Sequence, residues 1–227
     1  MSVFHTENRD GTLVVTLDRA PLNALSAETL EEGAALLAAT ADAPPEAGMV
    51  LTGANGVFTA GVDIKQAADA DLEMRRRLFW GINDFCAALM RLPCPVVAAV
   101  TGHAIGAGGI VAIAADWTLI ADKELKIGLP EAKAGLPFPQ IPQIIMEYGL
   151  SPVWHRRLAL TSVLYGAKES IEAELADELV PADEIVDRAV ARAQEMAAQP
   201  AFVEIKANMR RQAWQDIDTV YADRDAG

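Results

Sequence analysis

The sequence predicts an α/β fold with a largely parallel sheet, an N-terminal β-hairpin and a helical C-terminal region. Short apolar runs such as Val96–Val100 alternate with amphipathic segments of helical period, which is typical of parallel strands connected by helices. Asp10-Gly11 separates two further strand-like runs and is a strong signal for a hairpin turn. Beyond residue 139 the apolar residues recur mostly at helical spacing.

Cap and breaker residues set the limits of several elements. Ser26 is a good N-cap, and Glu28 suits the positive end of the helix that follows. Pro44-Pro45 ends that helix. Ser151, with Pro152 at the first helical position, predicts the start of a later one. The predicted strands are Val3–Glu7, Thr12–Leu17, Met49–Thr52, Val96–Val100, Thr118–Ala121 and Glu178–Val180. The further predicted helices are Leu72–Leu92, Pro139–Tyr148, Pro152–Thr161, Ala167–Ala176, Ile185–Ala198 and Phe202 to about Tyr221.

Length and composition set the class of protein. A chain of 227 residues fits one domain, and we expect a core over residues 1–195 with a short helical appendage over residues 196–227. The net charge of -13 argues against a nucleic-acid partner, because a phosphate backbone requires a clustered basic surface. The apolar runs are too short to span a bilayer, and the first residues lack the features of a signal peptide. We therefore expect a cytoplasmic protein without a membrane partner, in which Cys86 and Cys94 remain reduced.

The stretch from Pro93 to Leu136 has the layout of an active site. A buried strand leads into a turn with glycines at positions 102, 106, 108 and 109, where the backbone could approach a ligand and present N–H groups at a helix start. A tight strand-to-helix turn would look the same. The spacing is neither a dinucleotide fingerprint, since Val111 holds the place of the third glycine, nor a phosphate-binding loop.

A second small-residue turn, Phe58–Ile64, also follows a buried strand. Two such turns, each with a free N–H, could together hold one oxyanion. A lone carboxylate, Glu131, lies further along the chain among apolar neighbours.

Five separated blocks of the sequence occur in the order found in the crotonase family, the enoyl-CoA hydratase/isomerase superfamily. Together they span roughly residues 1 to 200, so a chance resemblance is a poor explanation. The blocks are Pro21-Leu22-Asn23-Ala24-Leu25-Ser26, Phe58-x-Ala60-Gly61-x-Asp63-Ile64-Lys65, Pro95-Val96-Val97-Ala98-Ala99-Val100-x-Gly102, Asp116 and Gly128-Leu129-Pro130-Glu131-x-x-x-Gly135.

The resemblance implies a ββα spiral core, assembly as a trimer or a dimer of trimers, and an acyl-CoA thioester substrate in fatty acid metabolism. Coenzyme A would be part of the substrate, with no separate cofactor and no metal. By position, the N–H groups of Val62 and Ala107 would bind the thioester oxygen as it becomes an enolate. Ala107 stands where the family usually has glycine, but it keeps the N–H.

The same resemblance assigns one end of the binding site to coenzyme A. The backbone around Ala60, Asp63 and Ile64 would line the adenine end. Lys65 would be available for a phosphate contact.

Departures from the family pattern bear on the reaction. Hydratases of the family use two glutamates, which share the work of activating water and delivering a proton. The first position is Ile110 here, and the second is Glu131. The isomerases resemble this arrangement, because one carboxylate can take a proton from C2 of a 3-enoyl thioester and return it at C4. Apolar neighbours such as Ile110, Leu136 and Phe138 would raise the pKa of Glu131 and exclude water.

Other interpretations stay open at this point. The protein could be a hydratase, could catalyse another thioester-enolate reaction, or could bind acyl-CoA without turnover; an RNA-binding role is disfavoured by the acidity. His103 could be a second acid or base, although a packing role is the commoner one. We expect Asp116 to order backbone. Arg75-Arg76-Arg77 could meet phosphates of coenzyme A, but a solvated face of mixed charge is favoured.

Overall fold

A six-stranded sheet and a small three-stranded sheet form the framework of the computed structural model, which describes residues 2–226. The strands are β1 (Phe4–Arg9), β2 (Thr12–Leu17), β3 (Met49–Gly53), β4 (Val96–Val100), β5 (Ala104–Ile105), β6 (Trp117–Ala121), β7 (Ile127–Gly128), β8 (Leu164–Tyr165) and β9 (Glu178–Val180). The large sheet has the order β1-β2-β3-β4-β6-β9, and the small one has the order β5-β7-β8.

Ten helices in the described residues surround these sheets. They are α1 (Ala27–Asp42), α2 (Ile64–Ala68), α3 (Leu72–Arg91), α4 (Ala107–Ala114), α5 (Glu131–Ala134), α6 (Gln140–Gly149), α7 (Pro152–Thr161), α8 (Ala167–Glu172), α9 (Ile185–Ala197) and α10 (Phe202–Ala226). None of the helices in residues 2–226 is both long and apolar enough to cross a membrane.

The predicted α/β class with a helical C-terminal region is confirmed. In the large sheet only β1 runs antiparallel to its neighbour β2. Asp10 and Gly11 join these two strands with φ of 50° and 85°, as a tight hairpin turn requires. Every residue of Val96–Val100 is buried, which explains why that strand reads as a continuous apolar run rather than an alternating one.

One helix end and several short elements differ from the sequence prediction. The helix predicted over Ala167–Ala176 is wrong at its C-terminus, because Glu174 has φ of 58° and the helix ends at Glu172. Helices α2 and α5 and the small sheet were not predicted. Their segments are two to five residues long, too short for hydrophobic periodicity to appear.

The parallel pairing of β3 and β4 brings two loops to one edge of the large sheet. Met49 pairs with Val96 and Thr52 with Ala99, so both strands end at the same side. The loop after β3 contains residues 54–63, and the loop after β4 leads to α4. Ligand sites in α/β proteins form at this edge, because the carboxyl ends of neighbouring parallel strands meet there.

The small sheet positions a third segment beside these loops. Ala104 pairs with Ile127 and Ile105 with Gly128 in parallel register. The N–H of Gly106 donates to the carbonyl of Gly128 at 2.9 Å. The chain that follows Gly128 is therefore held against the start of α4.

A buried charged cluster attaches α10 to the sheet. Asp116 accepts hydrogen bonds from the Val96 N–H at 2.8 Å, from Lys206 Nζ at 2.6 Å and from Arg210 Nη2 at 2.7 Å. Lys206 and Arg210 are 4% and 1% exposed, respectively. The expectation that Asp116 orders backbone is confirmed by its bond to Val96. Burial lowers the pKa of Lys206 to about 8, although Asp116 acts in the opposite direction.

Cys86 and Cys94 are both buried free thiols. Burial alone raises the pKa of Cys86 to about 12, so this sulfur is an unreactive part of the core.

Replacing Asp116 by Asn tests this attachment. The change leaves two buried cations with an uncharged partner, and we expect it to lower the free energy of unfolding by about 3 kcal/mol. Urea denaturation followed by circular dichroism measures the loss.

Asp187→Asn is the matched control, since Asp187 also pairs with an arginine, Arg9, at 3.0 Å, but on the surface. Removing such a pair costs less than about 1 kcal/mol. Equal losses in the two variants would contradict the role assigned to Asp116.

Candidate active site

A cavity of about 550 Å³ opens between α3, the two loops at the sheet edge and the segment before α6. Its wall is mostly apolar. The lining residues are Ala60, Gly61, Val62, Ile64, Ala67, Arg75, Leu78, Phe79, Ile82, Ile105, Gly106, Ala107, Ile110, Pro130, Glu131, Ala134, Leu136, Pro137, Phe138, Pro139 and Pro142.

The turn after β3 is fixed on both sides by backbone hydrogen bonds. On one side, the Thr59 N–H donates to the carbonyl of His103 at 3.0 Å. On the other side, the Leu25 N–H donates to Gly61 at 2.8 Å, and the Asp63 N–H donates to Leu25 at 2.9 Å. The N–H of Val62, between these two bonded residues, donates to no acceptor within residues 2–226. Val62 itself lines the cavity, where an N–H without an acceptor is available to a ligand.

The start of α4 offers a second free donor. Gly106 takes φ of 59°, and Ala107 is the first residue of the helix. The Ala107 N–H has no intrahelical partner at this position, and none elsewhere in the part of the chain that the structure describes.

The two turns touch each other. A methyl group built on Gly61 would lie 3.3 Å from the Ala107 nitrogen and only 2.4 Å from the carbonyl oxygen of Ile105. Gly61 also has φ of 82°, a conformation that favours glycine. The free N–H groups of Val62 and Ala107 thus lie on adjoining turns that line one cavity. An oxyanion hole requires two such donors.

Glu131 reaches this point from the third segment. A methyl group on Gly106 would lie 2.9 Å from its Oε1 atom, so the carboxylate is next to the start of α4. Its Oε2 atom is buried and has no hydrogen-bond partner among the described residues. Burial raises the pKa of Glu131 from 4.5 to about 7, and its backbone hydrogen bond offsets this only in part. Such a carboxyl group can both take and give a proton near neutral pH.

Ile110 lies one helical turn after Ala107 and is 1% exposed. It lines the cavity beside Leu78, Ile82 and Phe138. Among the described residues that line the cavity, Glu131 is the only acid. The chemistry available is therefore proton transfer by one carboxyl group beside two backbone donors.

Most of the site residues predicted from the sequence come together here. Those that line the cavity are Ala60, Val62, Ile64, Ala107, Ile110, Glu131, Leu136 and Phe138. Asp63 and Lys65 lie outside the lining. The Asp63 carboxylate caps α2 by accepting the Lys65 and Gln66 N–H groups, and it pairs with Arg19 Nη2 at 2.9 Å.

The His103 ring belongs to the turn rather than to the cavity. Its Nδ1 atom accepts the Lys126 N–H at 2.9 Å, and its side chain is exposed. This hydrogen bond holds the ring against the residue before β7 and gives His103 a structural role.

Sequence reasoning set aside one residue on α3, Arg75, and did not assign two others, Phe79 and Asn83, to the site. Arg75 and Phe79 line the cavity, and buried Asn83 accepts the Ile141 N–H at 2.9 Å with its Oδ1 atom, which caps the start of α6. The sequence did contain a signal for Arg75 and Phe79, since their spacing from Ile82 places all three residues on one face of a helix. Within residues 2–226 no group of three or more His, Cys, Asp or Glu side chains could hold a metal ion.

Comparison with known proteins shows related sequences and a related fold. Residues 7–225 match the family model described as "Enoyl-CoA hydratase/isomerase". A probable enoyl-CoA hydratase, echA17, of Mycobacterium avium (strain 104) is 31% identical over 201 residues, which cover 85% of this chain and 75% of that protein. Carnitinyl-CoA dehydratase of Escherichia coli (strain K12) is 29% identical over 224 residues, covering 96% and 84% of the two chains.

A solved structure has the same fold. Human mitochondrial Δ3-Δ2-enoyl-CoA isomerase superposes with a TM-score of 0.90 at 23% identity, covering 99% of this chain and 88% of that one. The sequence prediction of a crotonase fold is thereby confirmed.

Gly61→Ala tests whether the two turns are in contact. The new methyl group would meet the Ile105 carbonyl oxygen at 2.4 Å, in addition to the strain of its positive φ. We expect the free energy of unfolding to fall by about 3 kcal/mol or more, measured by urea denaturation.

Gly135→Ala is the matched control. Gly135 has φ of 71°, but a methyl group there would meet nothing within 4 Å. It should cost only the backbone strain, about 1 kcal/mol. If both variants lose the same stability, the turns do not press on each other.

Proposed function

Because the chain belongs to the enoyl-CoA hydratase/isomerase family, we propose that it moves the double bond of a 3-enoyl-CoA to the 2-position with a single carboxylate as proton carrier. The observation that carries the proposal is the presence of one acid, Glu131, in a cavity where Ile110 occupies the place of a second acid. The family membership makes the chain an acyl-CoA enzyme of the crotonase superfamily.

The first step removes a proton from the substrate. With the thioester oxygen at the Val62 and Ala107 N–H groups, the C2–H bond would break and its proton would pass to the Glu131 carboxylate. The electron pair would spread over a dienolate, whose negative oxygen the two N–H groups stabilise. These donors are held by the protein backbone, so they require no rearrangement when the charge develops.

The second step returns the proton. Glu131 is now a carboxylic acid, and it would deliver the proton to C4 while the thioester carbonyl reforms and the double bond settles between C2 and C3. A pKa of about 7 suits both directions of transfer. Leu136 and Phe138 line the same cavity as Glu131, and such apolar groups would limit the access of water once a ligand fills it.

Hydration requires more than this site offers. A water molecule must be held and deprotonated while a proton is delivered to carbon, and two acids normally divide that work. Several relatives are nevertheless named as hydratases. An experiment therefore has to separate the proposed isomerase from two alternatives, a hydratase and a protein that binds acyl-CoA without turnover.

Glu131→Gln is the direct test. We expect it to lower the rate of double-bond migration in a 3-enoyl-CoA by about 10³-fold or more, since the amide cannot accept the C2 proton. Conversion is followed by the absorbance of the conjugated thioester, while hydration of a 2-enoyl-CoA is scored in parallel by chromatography. Wild-type protein that hydrates 2-enoyl-CoA without isomerising 3-enoyl-CoA would contradict the proposal.

Glu124→Gln is the control, because Glu124 is an exposed acid outside the cavity lining.

The pH profile gives a second check on Glu131. Its carboxylate is the active form, so kcat/KM should rise with pH below about 7 and level off above. A profile that levels off below pH 5 would assign the proton transfer to another group.

A further inference from the structure

Arg75 is the only basic residue among the described residues that line the cavity. It lies on the face of α3 that also carries Leu78, Phe79 and Ile82, one turn before the first two of these. Leu78 and Ile82 are buried, whereas Arg75 is exposed, so the guanidinium lies at the rim. A positive charge therefore borders an otherwise apolar wall.

The Arg75 guanidinium is only partly used within the protein. Its Nε atom donates to the Ala70 carbonyl at 3.0 Å, which holds the side chain over the loop between α2 and α3. Its two terminal nitrogens have no carboxylate partner within 4.0 Å among residues 2–226. In contrast, Arg77 on the same helix pairs with Glu28 and Glu31.

The net charge of the chain indicates what a positive group at the cavity rim would do. The chain carries a net charge of -13, which repels an anionic ligand at long range. An acyl-CoA thioester is such a ligand, and a basic group at the cavity rim opposes that repulsion where the ligand binds. The planar guanidinium fork also matches the two oxygens of a carboxylate or phosphate.

We propose that Arg75 binds an anionic group of the thioester ligand at the rim of the cavity. This inference rests on the proposed acyl-CoA substrate and adds a binding residue to it. The anion is either a phosphate of coenzyme A or a carboxylate carried by the acyl chain. Either group would present its oxygens to the same two nitrogens of the guanidinium. A binding experiment is therefore needed to distinguish the two groups.

Isothermal titration of wild type and Arg75→Ala with three probes tests the inference. The probes are butyryl-CoA, butyryl-pantetheine, which lacks phosphate, and glutaryl-pantetheine, which lacks phosphate but carries a terminal carboxylate. In Arg75→Ala we expect the Kd to be about tenfold higher for the anionic probe that Arg75 recognises. The Kd for butyryl-pantetheine should change by less than about twofold. A loss confined to butyryl-CoA identifies a phosphate, and a loss confined to glutaryl-pantetheine identifies a carboxylate. Losses on both probes mean that Arg75 serves either anion.

Arg76→Ala is the matched control, since Arg76 is the neighbouring arginine and lies outside the cavity lining. Arg75→Lys should restore part of the affinity by keeping the charge. The inference is overturned if Arg75→Ala binds all probes as Arg76→Ala does, or if butyryl-pantetheine weakens as much as the anionic probes. Failure of wild type to bind any probe would refute the acyl-CoA ligand itself, and the inference with it.

Discussion

The hydrogen bond from the Gly106 N–H to the Gly128 carbonyl is the contact on which the site depends. It joins the start of α4, with its free Ala107 N–H, to the segment that carries Glu131. Without the two-residue strands β5 and β7, Glu131 and the Ala107 N–H would belong to unconnected loops. The large sheet brings the third component, Val62, to the same place, because β3 and β4 end at one edge.

The apolar cavity wall accounts for the raised pKa of Glu131, on which the proposed proton transfer depends. A carboxylate surrounded by apolar groups loses solvation, which is why the pKa of Glu131 is raised. The same apolar wall, which includes the buried side chain of Ile110, offers few groups that could hold a water molecule for addition to a double bond. In the proposed reaction, this one environment would favour return of the proton over hydration.

The sequence predicted the strands whose residues are buried on both faces, such as Val96–Val100, because short continuous apolar runs bounded by turn residues are typical of such strands. It also identified the cavity residues that lie within glycine turns. Lys65 lies outside the cavity lining, and its contact with a phosphate stays a prediction, since a motif does not show where a side chain points. Arg75 was set aside for a related reason: three adjacent arginines look alike in sequence, and only the helix phase relative to the cavity separates them.

The central claim is that one carboxyl group carries the proton from C2 to C4. A 3-enoyl-CoA labelled with deuterium at C2 and turned over in ordinary water tests it, with the product examined by NMR and mass spectrometry. The account predicts that a fraction of the product carries the label at C4, because Glu131 returns the proton it took. Product that never carries deuterium at C4, at any pH where turnover occurs, would contradict it.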